Sequence, residues 1–213
     1  MGVFRWQSLV RIWRNTVMKA TVIGNGESRQ GFDLTTLDGV TYGCNALYRD
    51  FLCDYLVCVD KRMVREALEG GYKNPIYTGN QWNFNESNVC ILPPFTWEEN
   101  EKWEKHYQWN SGVHAVWLAL QTPALTELTI IGFDLYSKDE KVNNLYKDTL
   151  NYESSDHHAV GHQHWVLQFE RMFGLYPNVR FNYYVPVGFR VPEDWQKKSN
   201  LYLFTRVPGM ATL

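Results

Sequence analysis

The sequence predicts an α/β fold, one domain built on a mostly parallel sheet flanked by helices. Two observations predict it. Short apolar runs alternate along the chain with segments of helical periodicity, the pattern of strands joined by helices rather than by hairpins. The first run, Ala20-Thr21-Val22-Ile23, ends in the glycine turn Gly24-Asn25-Gly26, and a strand end of that kind is where α/β sheets place ligands. The 213 residues suffice for one sizeable core and are short for two.

After the turn, strands are predicted at 40–42, 55–59, 75–78 and 89–92, with a helix over 61–69. A second helix covers 111–121, where Val113, Val116, Trp117 and Leu120 share a face. A strand at 128–131 then runs into Gly132-Phe133-Asp134. The polar stretch 138–156 reads as a long, lid-like loop, a length that usually signals function or disorder. A third helix follows over 162–173 and a strand over 179–184. Residues 195–213 show little periodicity and read as a tail packing on a domain that spans 19–194.

Ahead of the first strand, Arg5, Arg11, Arg14 and Lys19 occur without an acidic residue, while Trp6, Leu9, Val10, Trp13 and Val17 recur at helical spacing. Residues 1–18 are therefore expected to form a basic amphipathic helix. Packing on its own domain is the favoured role, with peripheral membrane or protein contact as the alternative. A true start at Met18 is a third reading of this segment. A net charge of −2 argues against a protein organised around nucleic acid, because such binding needs clustered Lys and Arg. The cysteines 44, 53, 58 and 90 form no Cys-x-x-Cys pair. They read as buried thiols of a reducing compartment, which makes the expected location cytoplasmic. No apolar run approaches the roughly 18–20 residues of a membrane span. Homo-oligomerisation is left open.

The turn Gly24-Asn25-Gly26-Glu27-Ser28-Arg29 supplies two glycines of a dinucleotide fingerprint but places Arg29 at the third, and no acidic partner follows at the required distance. NAD is disfavoured. The glycines still allow backbone N–H groups to approach a phosphate, and Ser28 can add a hydroxyl or cap a helix. Asn45 and Asp60 follow apolar strands and face either the ligand crevice or a helix N-terminus. Asp134 and Tyr136 leave another strand end, where a carboxylate can hold a polar group and a phenol can donate to a phosphate. Four of the six histidines, His157, His158, His162 and His164, fall close together. His158 and His162 would suit a metal if helical, but no further ligand signature accompanies them. A single histidine as general base is favoured, since imidazole titrates near neutrality. The chain has no Asp-x-Asp, the pair that commonly holds a metal-bound sugar nucleotide. Neither a metal nor a cofactor is expected.

Taken in order, Gly24-Asn25-Gly26-Glu27-Ser28, Cys44-Asn45, Asn110-Ser111-Gly112-Val113, Ile131-Gly132-Phe133-Asp134-Leu135-Tyr136 and His158-Ala159-Val160-Gly161-His162 resemble the bacterial lipooligosaccharide sialyltransferases of glycosyltransferase family 42. The resemblance spans most of residues 21–181. It implies a metal-independent, Rossmann-like fold with a lid over the site, transferring sialic acid from a CMP-linked donor to a glycan hydroxyl with inversion. It also implies that Gly24, Asn25, Gly26, Ser28, Asn45, Asp60, Asn110, Ser111, Gly112, Asp134 and His158 serve the nucleotide and substrate. Tyr136 and Tyr146 would stabilise the departing phosphate, and His162 would act as the base. The chain departs from the family at Glu27, where proline is usual, at Gln108, where an arginine can stand, and at Asp60, which replaces asparagine. Two other readings share these motifs: a diphosphokinase similar to the archaeal pterin enzymes, using ATP, and a non-catalytic binding or assembly protein.

Overall fold

Eight strands form a single parallel sheet in a computed structural model that describes residues 18–137 and 139–206. The strands are β1 (Met18–Ile23), β2 (Val40–Cys44), β3 (Tyr55–Val57), β4 (Ile76–Thr78), β5 (Val89–Ile91), β6 (Leu125–Ile131), β7 (Arg180–Pro186) and β8 (Leu201–Arg206). Their order across the sheet is β5-β4-β3-β2-β1-β6-β7-β8, and every pairing is parallel. Helices α1 (Lys61–Glu69), α2 (Ser111–Leu120) and α3 (Gln163–Leu175) complete the frame. This is the Rossmann-like α/β architecture expected from the alternating pattern.

Strand alternation divides the core between the two faces. Val22 and Val57 belong to one buried cluster, with α2 and α3 packed over it. Ile23 and Leu56 belong to the other, covered by α1 and by Tyr146 of the lid segment. Period-two alternation sends successive side chains to opposite faces, so a strand covered on both sides must be apolar throughout. Helix α2 returns the chain from the β5 edge to the centre of the sheet. All ten of its residues are buried, as a helix apolar all round requires; the one-sided face read from Val113 and its partners understates this. Each fully buried large side chain, such as Trp117 or Leu128, contributes roughly 1.5–3 kcal/mol of hydrophobic burial.

Residues read as a featureless tail instead supply a 3-10 turn, Trp195–Lys197, and the edge strand β8, registered against β7 from Phe181↔Leu201 to Pro186↔Arg206. As an edge strand β8 leaves Tyr202, Leu203 and Phe204 partly exposed, although Leu201-Tyr202-Leu203-Phe204 is an apolar run of strand type. The helix expected over 1–18 lies, apart from Met18, outside the described residues. Among those described, no helix is long and apolar enough to cross a membrane. The four cysteines are free.

His114 sits on α2 with 1% of its surface exposed, its Nδ1 3.1 Å from the Asn110 carbonyl oxygen and its Nε2 3.2 Å from Nε2 of His106. Burial first, then the neighbouring His106, holds its pKa down to about 3, and burial lowers His106 as well. An unfolded chain protonates such groups near pH 6.5. The contribution of the neutral ring is therefore present in full above that value and is lost as pH falls toward the folded value of about 3. The slope is at most about 1.4 kcal/mol per pH unit for each group. The urea midpoint is expected to be lower at pH 5 than at pH 7, and His114→Gln is expected to narrow the gap.

Candidate active site

The sheet order reverses at β1: successive strands run outward to β5 on one side, and the chain returns to the other side of β1 with β6. The crevice outside such a switch point is the preferred ligand site of open α/β sheets. The glycine turn leaves β1 here, and Gly132-Phe133-Asp134 leaves β6 beside it. Between them opens a pocket of about 310 Å³, the lower end of the range for small-molecule sites.

Gly24, Asn25, Gly26, Asn45, Asn110, Ser111, Gly112, Asp134 and Tyr136 all line this pocket, although they come from four separate stretches of chain. Asn45 adopts φ +48° and Leu135, also in the lining, φ +54°. Left-handed backbone at non-glycine residues costs about 1–3 kcal/mol and collects at functional sites. The Oδ1 atoms of Asn25 and Asn45 are buried without a hydrogen-bond partner, and Asn25 itself is 6% exposed. Buried acceptors of this kind normally find a donor, so the two amides present unmet acceptors to a ligand. At the N-terminus of α2, the Asn110 Oδ1 accepts from Val113 N at 2.9 Å and Ser111 Oγ accepts from Val59 N at 3.0 Å. The amides of Ser111 and Gly112 have no intrahelical acceptor, so this helix end directs N–H groups of the kind that can receive an oxyanion.

The glycine turn differs from the expected phosphate cradle. Gly24 N donates to Ile131 O and Gly26 N to Gly132 O, both at 2.8 Å. Glu27 N donates to Asn143 Oδ1 at 3.0 Å, and Ser28 N to Asp134 Oδ2 at 2.9 Å. The amides of Gly24, Gly26, Glu27 and Ser28 are thus spent on holding β1 against β6 and the lid. Ser28, whose hydroxyl also donates to Asp134, is outside the lining. Burial raises the pKa of Asp134, and these two bonds from Ser28 pull it back. Glu27 turns out to the lid, where its carboxylate pairs with the Lys147 ammonium.

Three other expected residues stand elsewhere. Asp60 caps α1, accepting from Arg62 N at 2.8 Å and pairing with the Arg62 guanidinium at 2.7 Å; those contacts hold its carboxyl below the usual range. Tyr146 is buried under the lid, donating to Asp50 Oδ2 at 2.6 Å and accepting from Arg29 at 3.0 Å. It anchors the lid and does not reach the pocket. His158 is exposed and its backbone pairs with Lys141. It precedes α3, so the helical spacing with His162 that a shared metal would use does not occur. Among the described residues no group of three His, Cys, Asp or Glu side chains is arranged to hold a metal ion.

Tyr152 enters the pocket instead of Tyr146. Its hydroxyl accepts from Asn25 Nδ2 at 3.2 Å and from Ala46 N at 3.3 Å, so its own proton points to neither. Burial raises its pKa well above the ordinary phenol value, so it stays a neutral donor. Within a polar loop no periodicity separates Tyr152 from Tyr146, which is why sequence reasoning missed it. The lid is closed onto the turn by Leu145 N donating to Asn25 O at 2.9 Å.

His162 is likewise not among the residues lining the pocket; it stands beside it, its ring set edge-to-face with that of the lining residue Tyr136, centroids 4.2 Å apart. His162 occupies the position before the first turn of α3 and makes no capping bond with its side chain. Burial, then the charge of Arg190, lowers its pKa below the usual histidine value. A neutral imidazole at working pH can accept a proton. Burial raises the Tyr136 phenol, keeping it a donor.

No protein-family model, curated protein or solved structure matches the chain.

Proposed function

We propose that this protein is a metal-independent glycosyltransferase, similar to the sialyltransferases. It would pass a sugar from a nucleotide-activated donor, CMP-linked, to a glycan hydroxyl, with His162 as general base. The observation that carries this reading is the convergence of motifs far apart in sequence on one switch-point pocket, with His162 in ring contact with its lining residue Tyr136. The free Oδ1 atoms of Asn25 and Asn45 suit hydrogen-bond donors of a nucleoside. The open amides at the start of α2 suit a phosphate.

In this reading the bond between the anomeric carbon and the donor phosphate breaks, and its electron pair leaves on the phosphate oxygen. The acceptor oxygen bonds to the anomeric carbon from the opposite face, and its proton passes to His162. Tyr136 and Tyr152 donate hydrogen bonds as charge develops on the phosphate, the role of preorganised donors in a dry site. Tyr152 takes the part that the resemblance assigned to Tyr146.

A thermal-shift series with CMP, a CMP-linked sugar, UDP- and GDP-sugars, and ATP with Mg²⁺ tests the reading. At a hundredfold excess over Kd a ligand of the native state adds about 2.7 kcal/mol, a rise of about 5–10 °C for a chain of this size. That rise is expected for CMP and its sugar ester. Stabilisation by ATP with Mg²⁺ alone would sink the proposal in favour of the diphosphokinase reading.

A further inference from the structure

The pocket lining carries two carboxylates, Asp134 and Glu153, and no Lys or Arg. A donor phosphate bound there meets neutral hydrogen-bond donors only, while the charge that develops on it during transfer needs a counter-charge. The described basic residues around the lid are committed: Lys147 to Glu27, Arg29 to Asp50 and Arg49 to Glu66 in ion pairs, and Lys141 to the Asp156 carbonyl oxygen at 2.6 Å. Arg190 differs. Its guanidinium carbon lies 5.6 Å from the centroid of the Tyr136 ring, and among the described residues it makes no ion pair. Its chain neighbour Phe189 packs on Tyr136 at 5.4 Å and on Tyr183 at 6.2 Å, so the loop after β7 is fixed against the reactive edge while the guanidinium is exposed.

We propose that Arg190 is the phosphate-binding cation of this site, supplying from the loop after β7 the positive charge that the pocket lining lacks. This rests on the transferase reading above. A guanidinium beside the departing phosphate offers planar, charge-assisted hydrogen bonds. After burial, the same charge disfavours protonation of His162. Nothing in the local sequence, Gly188-Phe189-Arg190-Val191, marks it, because the pairing with Tyr136 is made only when β7 lies beside β6.

The test is calorimetric titration of the full chain with CMP and with cytidine, for the wild type, Arg190→Ala and Arg190→Lys. Arg190→Ala is expected to weaken CMP by about ten- to a hundredfold, the worth of a charged hydrogen bond, and to leave cytidine unchanged. Arg190→Lys is expected to recover part of the loss. Unchanged CMP affinity in Arg190→Ala overturns the inference while leaving the transferase reading intact. So does an equal loss for cytidine and CMP, the mark of a structural role. A wild-type chain that binds neither compound overturns both.

Discussion

His162→Ala is expected to slow sugar transfer by roughly 10²–10⁴-fold, the usual contribution of a positioned general base, while CMP affinity stays unchanged. The separation of the two effects follows from placement. His162 touches Tyr136 beside the pocket, centroids 4.2 Å apart, but is not part of the lining that would hold the nucleotide. Its side chain makes no capping bond to α3, so alanine costs the fold little. Burial and the Arg190 charge depress its pKa, so the acid limb of the wild-type rate profile is expected below pH 6.5, and the variant is expected to lack that limb. Removing the charge by Arg190→Gln moves the limb to higher pH, because the protonated imidazole is then less disfavoured. Transfer measured from pH 5 to 8 on the three proteins decides it: a full rate in His162→Ala would remove His162 from the mechanism.

Much of this site was legible because it lies at strand ends, where local sequence and global topology agree. A buried apolar strand followed by a glycine turn or by Gly132-Phe133-Asp134 can only deliver its next residues to the carboxyl edge of a parallel sheet. What failed to show was whatever depends on a partner distant in sequence. The amides of Gly24 and Gly26 looked free for phosphate, and only the parallel pairing of β1 with β6 shows them taken by Ile131 and Gly132. Tyr146 and Tyr152 are equivalent in a loop, and the pair of buried Arg29 with exposed Asp50 separates them by capturing the first. Asp60 follows a strand, as Asn45 does, yet the adjacent Arg62 and the start of α1 make it a cap. Edge strand β8 carries an apolar run of its own, Leu201-Tyr202-Leu203-Phe204, so it was legible and was passed over; its side chains stay partly exposed because it has one neighbour.

Gly24→Ala is expected to cost about 3 kcal/mol of stability and to abolish nucleotide binding, because the two glycines at the switch point pack backbone against backbone. A Cβ on Gly24 would press on the Gly132 carbonyl oxygen and lie 2.8 Å from Cδ2 of Phe133. Gly132 takes φ +71°, and a Cβ there would come within 2.6 Å of the Gly24 oxygen. Neither side can retreat. Hydrogen bonds of 2.8 Å from Gly24 N and Gly26 N hold the turn to β6, and Phe133 packs edge-on against Phe169 at 5.6 Å. Overpacking costs about 1–3 kcal/mol and a disrupted buried hydrogen bond about 1–3, which brackets the expected total. The corresponding fall in Tm is about 6–12 °C for this chain length. Since Asn25 follows directly, its unpaired Oδ1 would be displaced with the turn, and the CMP-induced rise in Tm should vanish even at temperatures where the variant stays folded. Gly174→Ala is the control: it lies in α3, where an added methyl group would meet nothing within 4 Å, so a Tm equal to or slightly above the wild type is expected, as alanine favours a helix. Equal losses at the two positions would mean that the packing of Gly24 on Gly132 is not what holds the pocket in shape.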